Sequence, residues 1–296
     1  MIIKHPVQPF EWDVVLKRTI MKKIVIALAC SLLLLTLYSN AQTPDTIPQE
    51  GVKLKLSINY NSGLNYYGRT DSLKSTGIFP LAEVWFTPKF YINAAPIFVN
   101  NKLQTMEYSG SVASIGYLNV SDKWISNLYL LKPFYTESSR LVQSALKAQA
   151  GAAFTALSKT LNFSFGGDIK YSDQFDIGTM AGIDHIFRFE NKDKSIVVID
   201  PSLTVNAGTQ NFSKTYKKKT GGLLARDQQI TETYKKFNLL SFEASMPLIY
   251  SKNKFQVIAT PAYVLPQNLV KIENRPDLTE NGKNMFYTTL ALKYAF

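Results

Sequence analysis

The last eleven residues, FYTTLALKYAF (286–296), place Phe286, Thr288, Leu290, Leu292, Tyr294 and Phe296 on one side and Tyr287, Thr289, Ala291, Lys293 and Ala295 on the other. An alternation of period two marks a β-strand with one apolar face and one wetter face. KLKLSINY (53–60) repeats it, with Leu54, Leu56, Ile58 and Tyr60 opposite Lys53, Lys55, Ser57 and Asn59. In LNFSFGGDIKY (161–171), Leu161, Phe163, Phe165, Ile169 and Tyr171 oppose Asn162, Ser164, Asp168 and Lys170. Helical periodicity is nearly absent from residue 53 onward.

Extending this reading along the chain gives strands at 53–60, 78–86, 90–99, 108–119, 123–135, 144–158, 161–171, 176–190, 195–209, 237–250, 254–265 and 284–296. Most run to about ten residues, which is the ~9–11 needed to cross a hydrocarbon layer at a tilt and longer than the ~5–6 common in soluble sheets. Tight connections at 87–89, 120–122, 158–160, 191–194 and 251–253 occupy every second position. Longer ones, 61–77, 210–236 and 266–283 among them, fall between, with 172–175 the one short exception. Short turns on one side and long loops on the other characterise membrane barrels. The fold expected is all-β, a single antiparallel transmembrane β-barrel of about twelve strands over 53–296, with both termini on the side of the tight turns. A soluble β-sandwich is the alternative, and it would leave the loop alternation without a cause.

The composition agrees. Hydrophobic residues make up 46% and aromatics 12% of the 296 residues. Only Ile24 to Tyr38 forms a continuous apolar run, shorter than the ~20 residues of a spanning helix. Lys22 and Lys23 before that run and Ser39-Asn40-Ala41 after it read as a signal peptide over 21–41, cleaved after Ala41. Residues 1–20, with Glu11 and Asp13, read as an upstream extension, and 42–52 as a periplasmic leader. Cys30, the single cysteine, falls in the signal peptide, so no disulfide, thiol nucleophile or lipid attachment is expected of the mature chain. The net charge is +11; residues 1–41 carry five basic and two acidic side chains, and their removal leaves +8. Lipopolysaccharide phosphates suit such a charge, and no nucleic-acid motif is present.

Aromatic residues gather at the tight turns: Trp85, Phe86, Phe90 and Tyr91 at the first, Tyr117 and Trp124 at the second, Phe187 and Phe189, Tyr250 and Phe255 further on. An interfacial girdle is the expected role. Prolines at 80, 96, 133, 201, 247 and 261 lie in or beside proposed strands, where each removes a ladder donor, so bulges or early strand ends are expected there.

The ending Leu290, Leu292, Tyr294, Phe296 resembles the C-terminal signal by which the outer-membrane assembly machinery takes in barrel substrates. Together with the signal peptide and a mature N-terminal glutamine, the chain resembles the outer-membrane barrel proteins of Gram-negative Bacteroidota. The resemblance spans residues 42–296, is architectural, and points to no functional family. It implies an outer-membrane location, contact with outer-membrane lipids and lipopolysaccharide, and recognition of Leu292, Tyr294 and Phe296 by the barrel assembly machinery.

Three functions stay open. In a passive pore or solute-binding barrel, inward charges would set preference: Lys147, Asp168, Lys170, Asp184, Arg188, Asp200, Glu243 and Lys293 are the lumen-lining candidates, beside Lys53, Lys55 and Glu190. Equally, such charges could form an ion-paired network that fills the interior. A structural or adhesive barrel with a plugged lumen would act through its loops; in 210–236, Lys217, Lys218 and Lys219 are candidate phosphate ligands. The third, a membrane-embedded lipid hydrolase, would need His185, the only histidine after residue 41. His185 falls on the outward face with Phe163 and Pro201 as expected neighbours and no serine in place as nucleophile. No catalytic constellation, metal or cofactor is expected.

Overall fold

The computed structural model describes residues 51–71, 73–103, 105–137, 139, 141, 143, 145–209, 237–269 and 280–296. The readings for residues 1–50 and for Lys217, Lys218 and Lys219 lie outside the described residues. The strands are β1 (Lys53–Asn61), β2 (Asn65–Tyr66), β3 (Arg69–Thr70), β4 (Thr76–Trp85), β5 (Phe90–Asn100) and β6 (Glu107–Val120). Then come β7 (Trp124–Tyr135), β8 (Ala148–Ala156), β9 (Asn162–Tyr171), β10 (Phe175–Asp184), β11 (Phe187–Glu190) and β12 (Ile196–Ile199). The chain ends with β13 (Ser202–Gly208), β14 (Asn238–Ser245), β15 (Leu248–Lys252), β16 (Phe255–Pro266) and β17 (Met285–Ala295).

All but β2 and β3 belong to one sheet of fifteen strands. Three pairs, β10 with β11, β12 with β13 and β14 with β15, are halves of one interrupted stave, so the wall has twelve staves. It closes because β17, already paired to β16, pairs antiparallel to β1 from Lys55↔Ala295 to Asn61↔Thr289. The closed sheet has no free edge along this seam, which is what a spanning sheet requires in a medium that offers the backbone no water.

The proline line shows how the wall tolerates missing donors. The staves break at Pro201 and at Met246-Pro247, and carbonyls of this region accept from the neighbouring stave. His185 N–H donates to Pro201 O (3.3 Å), Asp200 N–H to Pro247 O (3.0 Å) and Met246 N–H to Pro261 O (3.0 Å). Beside Pro96 the β5/β6 ladder shifts register at Ile97/Phe98, and opposite it Gly110 takes a φ of 148°. A Cβ at Gly110 would lie 2.5 Å from Phe134 O, so the bulge needs glycine there. The second shift, at Asn206/Ala207, sets Leu240 and Ser241 side by side, both fully buried.

Side-chain direction follows the alternation. Leu56, Ile58, Leu128, Leu130, Phe165, Ile169, Leu203, Leu290 and Leu292 all point outward and are exposed, Leu130 by 59%. A contiguous apolar belt of this kind is far larger than a soluble monomer presents, and it is the lipid-facing surface of a transmembrane barrel. Outward aromatics cluster on the tight-turn side: Phe86 with Phe90 (6.0 Å between centroids), Trp124 with Phe154 (6.2 Å), Tyr294 with Phe255 (4.7 Å) and Phe296 (4.8 Å).

Two members of the expected girdle stand elsewhere. Trp85 and Tyr91 pair with each other but face the lumen, where the Lys55 ammonium lies 4.2 Å from the Trp85 ring centre and the Tyr91 hydroxyl donates to Asn127 Oδ1. Each sits one residue from an outward aromatic, and period two reverses the direction. Inside, the Tyr91 ring covers Gly116 and the Tyr129 ring covers Gly151, cross-strand pairs in which a glycine makes room for an aromatic lying flat on the wall. The strand expected at 144–158 is shortened to β8, because Leu146 N–H turns back to Gln143 O and Leu157 N–H reaches Lys123 O.

Leu128, 56% exposed near the middle of β7, tests the belt. Leu128→Arg is expected to cost ~2–4 kcal/mol in denaturant unfolding from bilayers, the range for a cation at the hydrocarbon midplane. The neighbouring inward change Asn127→Arg should cost much less.

Candidate functional site

The connection between β1 and β4 turns into the barrel. Its entry is pinned by Ser62, whose N–H donates to Thr288 O (3.0 Å) and whose Oγ accepts from Thr288 N–H (2.8 Å). β2 and β3 then form a two-residue hairpin, Asn65↔Thr70 and Tyr66↔Arg69, with Tyr67 and Gly68 at φ 53° and 77°. Two successive positive φ values define the tight turn whose twist matches its strands. Gly68 is required twice over, since a Cβ there would also meet the Pro266 ring at 2.9 Å.

Arg69, 2% exposed, fixes this hairpin to the wall. Its Nε donates to Glu280 Oε2 (3.1 Å), Nη1 to Tyr67 O (3.1 Å) and Leu240 O (3.1 Å), and Nη2 to Gln267 O (2.9 Å). A rigid guanidinium fork satisfies a carboxylate and three carbonyls that a lysine could not. Thr70 N–H adds a bond to Asn281 O (2.8 Å). At the root, Asp71 accepts from Ser75 N–H (3.0 Å) and Oγ (2.5 Å), while Asn101 Nδ2 donates to Ser75 Oγ (2.9 Å).

The hairpin lies inside the ring, with Gly68 against Pro266 at the end of β16 and Arg69 bonded to Leu240 O on β14. Tyr67 feels the charges of Asp168 on β9 and Glu243 on β14 and the Tyr129 phenol on β7; Tyr66 feels Asp168 and Asp176. In the ring, β9 lies six staves from β1, on the opposite wall. Burial pushes the Tyr67 phenol up to about 12 and that of Tyr66 well above its ordinary value. Both are therefore neutral hydroxyls across the physiological range. Around the hairpin the inward residues are dry: Ile97, Val99, Leu240, Ala262 and Val264 are each 5% exposed or less. Between hairpin and wall remains a cavity of about 280 Å³, lined by Leu64, Tyr66, Asp71, Phe79, Ile97 and Tyr135.

The lumen-lining candidates divide. Lys170 and Asp168 form an ion pair on β9; Lys170 also lies opposite Asp176, and Gly178 leaves space for the pair. Lys293 pairs with Glu83 (2.5 Å), with Lys55 beside them. Glu243 lies beside Tyr287. Asp184 and Asp200 stand together near the tight-turn end, where Asn162 Nδ2 donates to Asp184 Oδ2 (2.6 Å). Arg188 lies on β11, in register with Val198. Lys147 departs from the expectation: it precedes β8, sits exposed at the rim, and pairs with Asp173 (2.9 Å), which raises its pKa.

Leu292 points outward, Tyr294 packs between Phe255 and Phe296, and Phe296 N–H donates to Leu54 O (2.9 Å). His185 faces outward as expected, its Nδ1 2.5 Å from Thr160 O and its ring edge-on to Phe187. The hairpin and Arg69 were missed from sequence, because strands of two residues have no period. The available signal was Gly68 between Tyr67 and a charged residue.

No protein-family model matches the sequence, and no curated protein matches it. Solved structures with similar shape include the KdgM porin (10% identity, 82% of this chain and 99% of that one, TM-score 0.44). An outer membrane channel from Pseudomonas putida F1 (11%, 87% and 100%, 0.44) and LpxR from Salmonella typhimurium (8%, 81% and 99%, 0.40) are also similar. Likeness at this level carries no argument about activity, and the fold rests on its own strand pairing.

Removing the Arg69 side chain would leave Glu280 buried without that guanidinium. Arg69→Ala is expected to lower stability by about 3–5 kcal/mol in denaturant titration and to make the 61–75 connection accessible to protease.

Proposed function

We propose that this chain is an outer-membrane channel for small polar solutes, narrowed by the hairpin at 65–70. The observation that carries the reading is the burial of the hairpin inside the ring, with Arg69 bonded to Leu240 O and Gln267 O and Gly68 against Pro266, a constriction held in place rather than a loop lying over the mouth. The outer-membrane location is supported by the lipid-facing belt, the signal peptide expected at 21–41 and the terminal aromatic.

A twelve-stave cylinder is wider than eight-stave barrels that side chains fill, and narrower than open porins. Its inner surface carries hydroxyl and amide pairs, such as Gln149 Nε2 donating to the Tyr129 hydroxyl (3.0 Å) and Ser114 Oγ to Asn93 Oδ1 (2.7 Å). Asp168 with Lys170 and Glu83 with Lys293 are neutralised within the wall. Such a lining favours uncharged polar solutes and gives weak discrimination between cations and anions.

A second reading, a plugged barrel acting through its loops, is favoured by one observation: the dry cluster around the hairpin and the four bonds of Arg69 make the outer half of the lumen a packed core. Planar-bilayer recording separates the two. The native barrel should give small discrete steps with a reversal potential near zero in a salt gradient, and replacing residues 63–73 by a short Gly-Ser link should enlarge the steps several-fold. Silence from the native barrel with conductance from the shortened one would establish the plug. Silence from both would overturn the channel.

A further inference from the structure

Among the described strands, Lys132 is the one charged side chain that points outward away from a strand end. It pairs with Ala113 on β6 and lies in the outward file of Leu128, Leu130 and Phe134. A lysine on the lipid face costs ~2–4 kcal/mol at the midplane, falling to ~0–1 near the interface. Lys132 is three residues from the end of β7 at the long-loop rim, its ammonium 5.4 Å from the Phe134 ring centre. It therefore stands at headgroup depth.

The wall opens beside it. The β7/β8 ladder ends at Leu131↔Gln149, while β7 continues to Tyr135, so the end of β7 has no ladder partner on β8. The resulting cleft, about 700 Å³, is lined by Lys132, Phe134, Ala148, Lys147, Tyr171 and Asp173. Lys147 enters it from the rim, held by Asp173 at 2.9 Å and 5.7 Å from the Tyr171 ring centre. Asp173 contributes one carboxylate against two ammonium groups, so the cleft keeps a positive balance.

Directly toward the membrane centre lies a second, apolar hollow of about 700 Å³. Their linings adjoin at period two on three adjacent strands: Lys132 and Leu130 on β7, Ala148 and Ala150 on β8, Tyr171 and Ile169 on β9. Ala152 and Gly167 form its floor.

We propose that this wall binds one phosphorylated lipid of the outer leaflet, with its phosphate between Lys132 and Lys147 and an acyl chain in the hollow below. The charge complementarity at the upper end selects this occupant over an uncharged lipid or a second barrel. The site rests on the barrel's orientation in the outer membrane and is independent of solute passage through the lumen.

The test is native mass spectrometry of the detergent-purified full barrel with lipid A, with the same lipid stripped of its phosphates, and with inorganic phosphate. One lipid A should be retained per chain. Lys132→Gln with Lys147→Gln should weaken that retention roughly tenfold, as expected for loss of two charge-assisted contacts. The stripped lipid should bind weakly and equally to both proteins, inorganic phosphate should not be retained, and Ala152→Phe should weaken lipid A by filling the hollow. Both lysines are exposed, and a heat-dependent gel shift will show that the variants fold. Equal retention of lipid A by native and double-variant barrels, equal retention of both lipids by the native one, or a dimer in place of a lipid adduct would each overturn the proposal. Retained inorganic phosphate with no lipid adduct would reduce the site to an anion cleft and overturn it too.

Discussion

The structure depends on the hydrogen-bonded seam between β1 and β17. In hydrocarbon an unpaired backbone donor or acceptor costs several kcal/mol, so a sheet that enters the membrane must meet its own edge. Here the two ends of the described barrel meet in a continuous register from Lys55↔Ala295 to Asn61↔Thr289, and Phe296 N–H extends the bonding to Leu54 O. The same pressure explains the handling of proline. Where Pro201, Pro247 and Pro261 remove donors, their carbonyls take bonds from His185, Asp200 and Met246. The staves are interrupted along this line and the wall stays hydrogen-bonded.

Closure with twelve staves creates a second problem, an interior too wide for side chains alone. Tyrosines laid over Gly116 and Gly151 thicken the wall on one side. On the other, the hairpin of β2 and β3 brings backbone into the lumen, where its polar groups need partners as surely as those facing lipid. Arg69 supplies donors to the carbonyls of Tyr67, Leu240 and Gln267, which is how non-helical backbone can be buried at this depth. The hairpin thus occupies space that a ring of twelve staves leaves open.

The alternation in 53–60, 161–171 and 286–296 revealed the wall, because period two is a local property and lipid on one side enforces it on every stave. Strand ends were less legible. Lys147 reads as lumenal only if the alternation around Ala148 is extended four residues ahead of the start of β8, where Leu146 turns back instead. Proximity to a turn suggests the girdle for Trp85 and Tyr91, while their parity with Glu83 and Asn93 places them inside. Arg69 was invisible for a different reason: its partners at 240, 267 and 280 come from strands and loops far along the chain, and only the closed ring brings them together.

Closure can be measured directly. Ile58 and Leu292 face each other across the seam, and adjacent antiparallel positions lie within the ~4.4–6.8 Å between Cα atoms that a disulfide spans. The only native cysteine is Cys30, so Ile58→Cys with Leu292→Cys, made in residues 42–296 and folded into bilayers, carries two thiols. Mild oxidation should link them nearly completely within each chain, seen as faster migration of the boiled, unreduced protein and loss of both free thiols. Two thiols that stay free in folded protein would show that β1 and β17 do not meet, and would contradict the barrel and everything placed inside it.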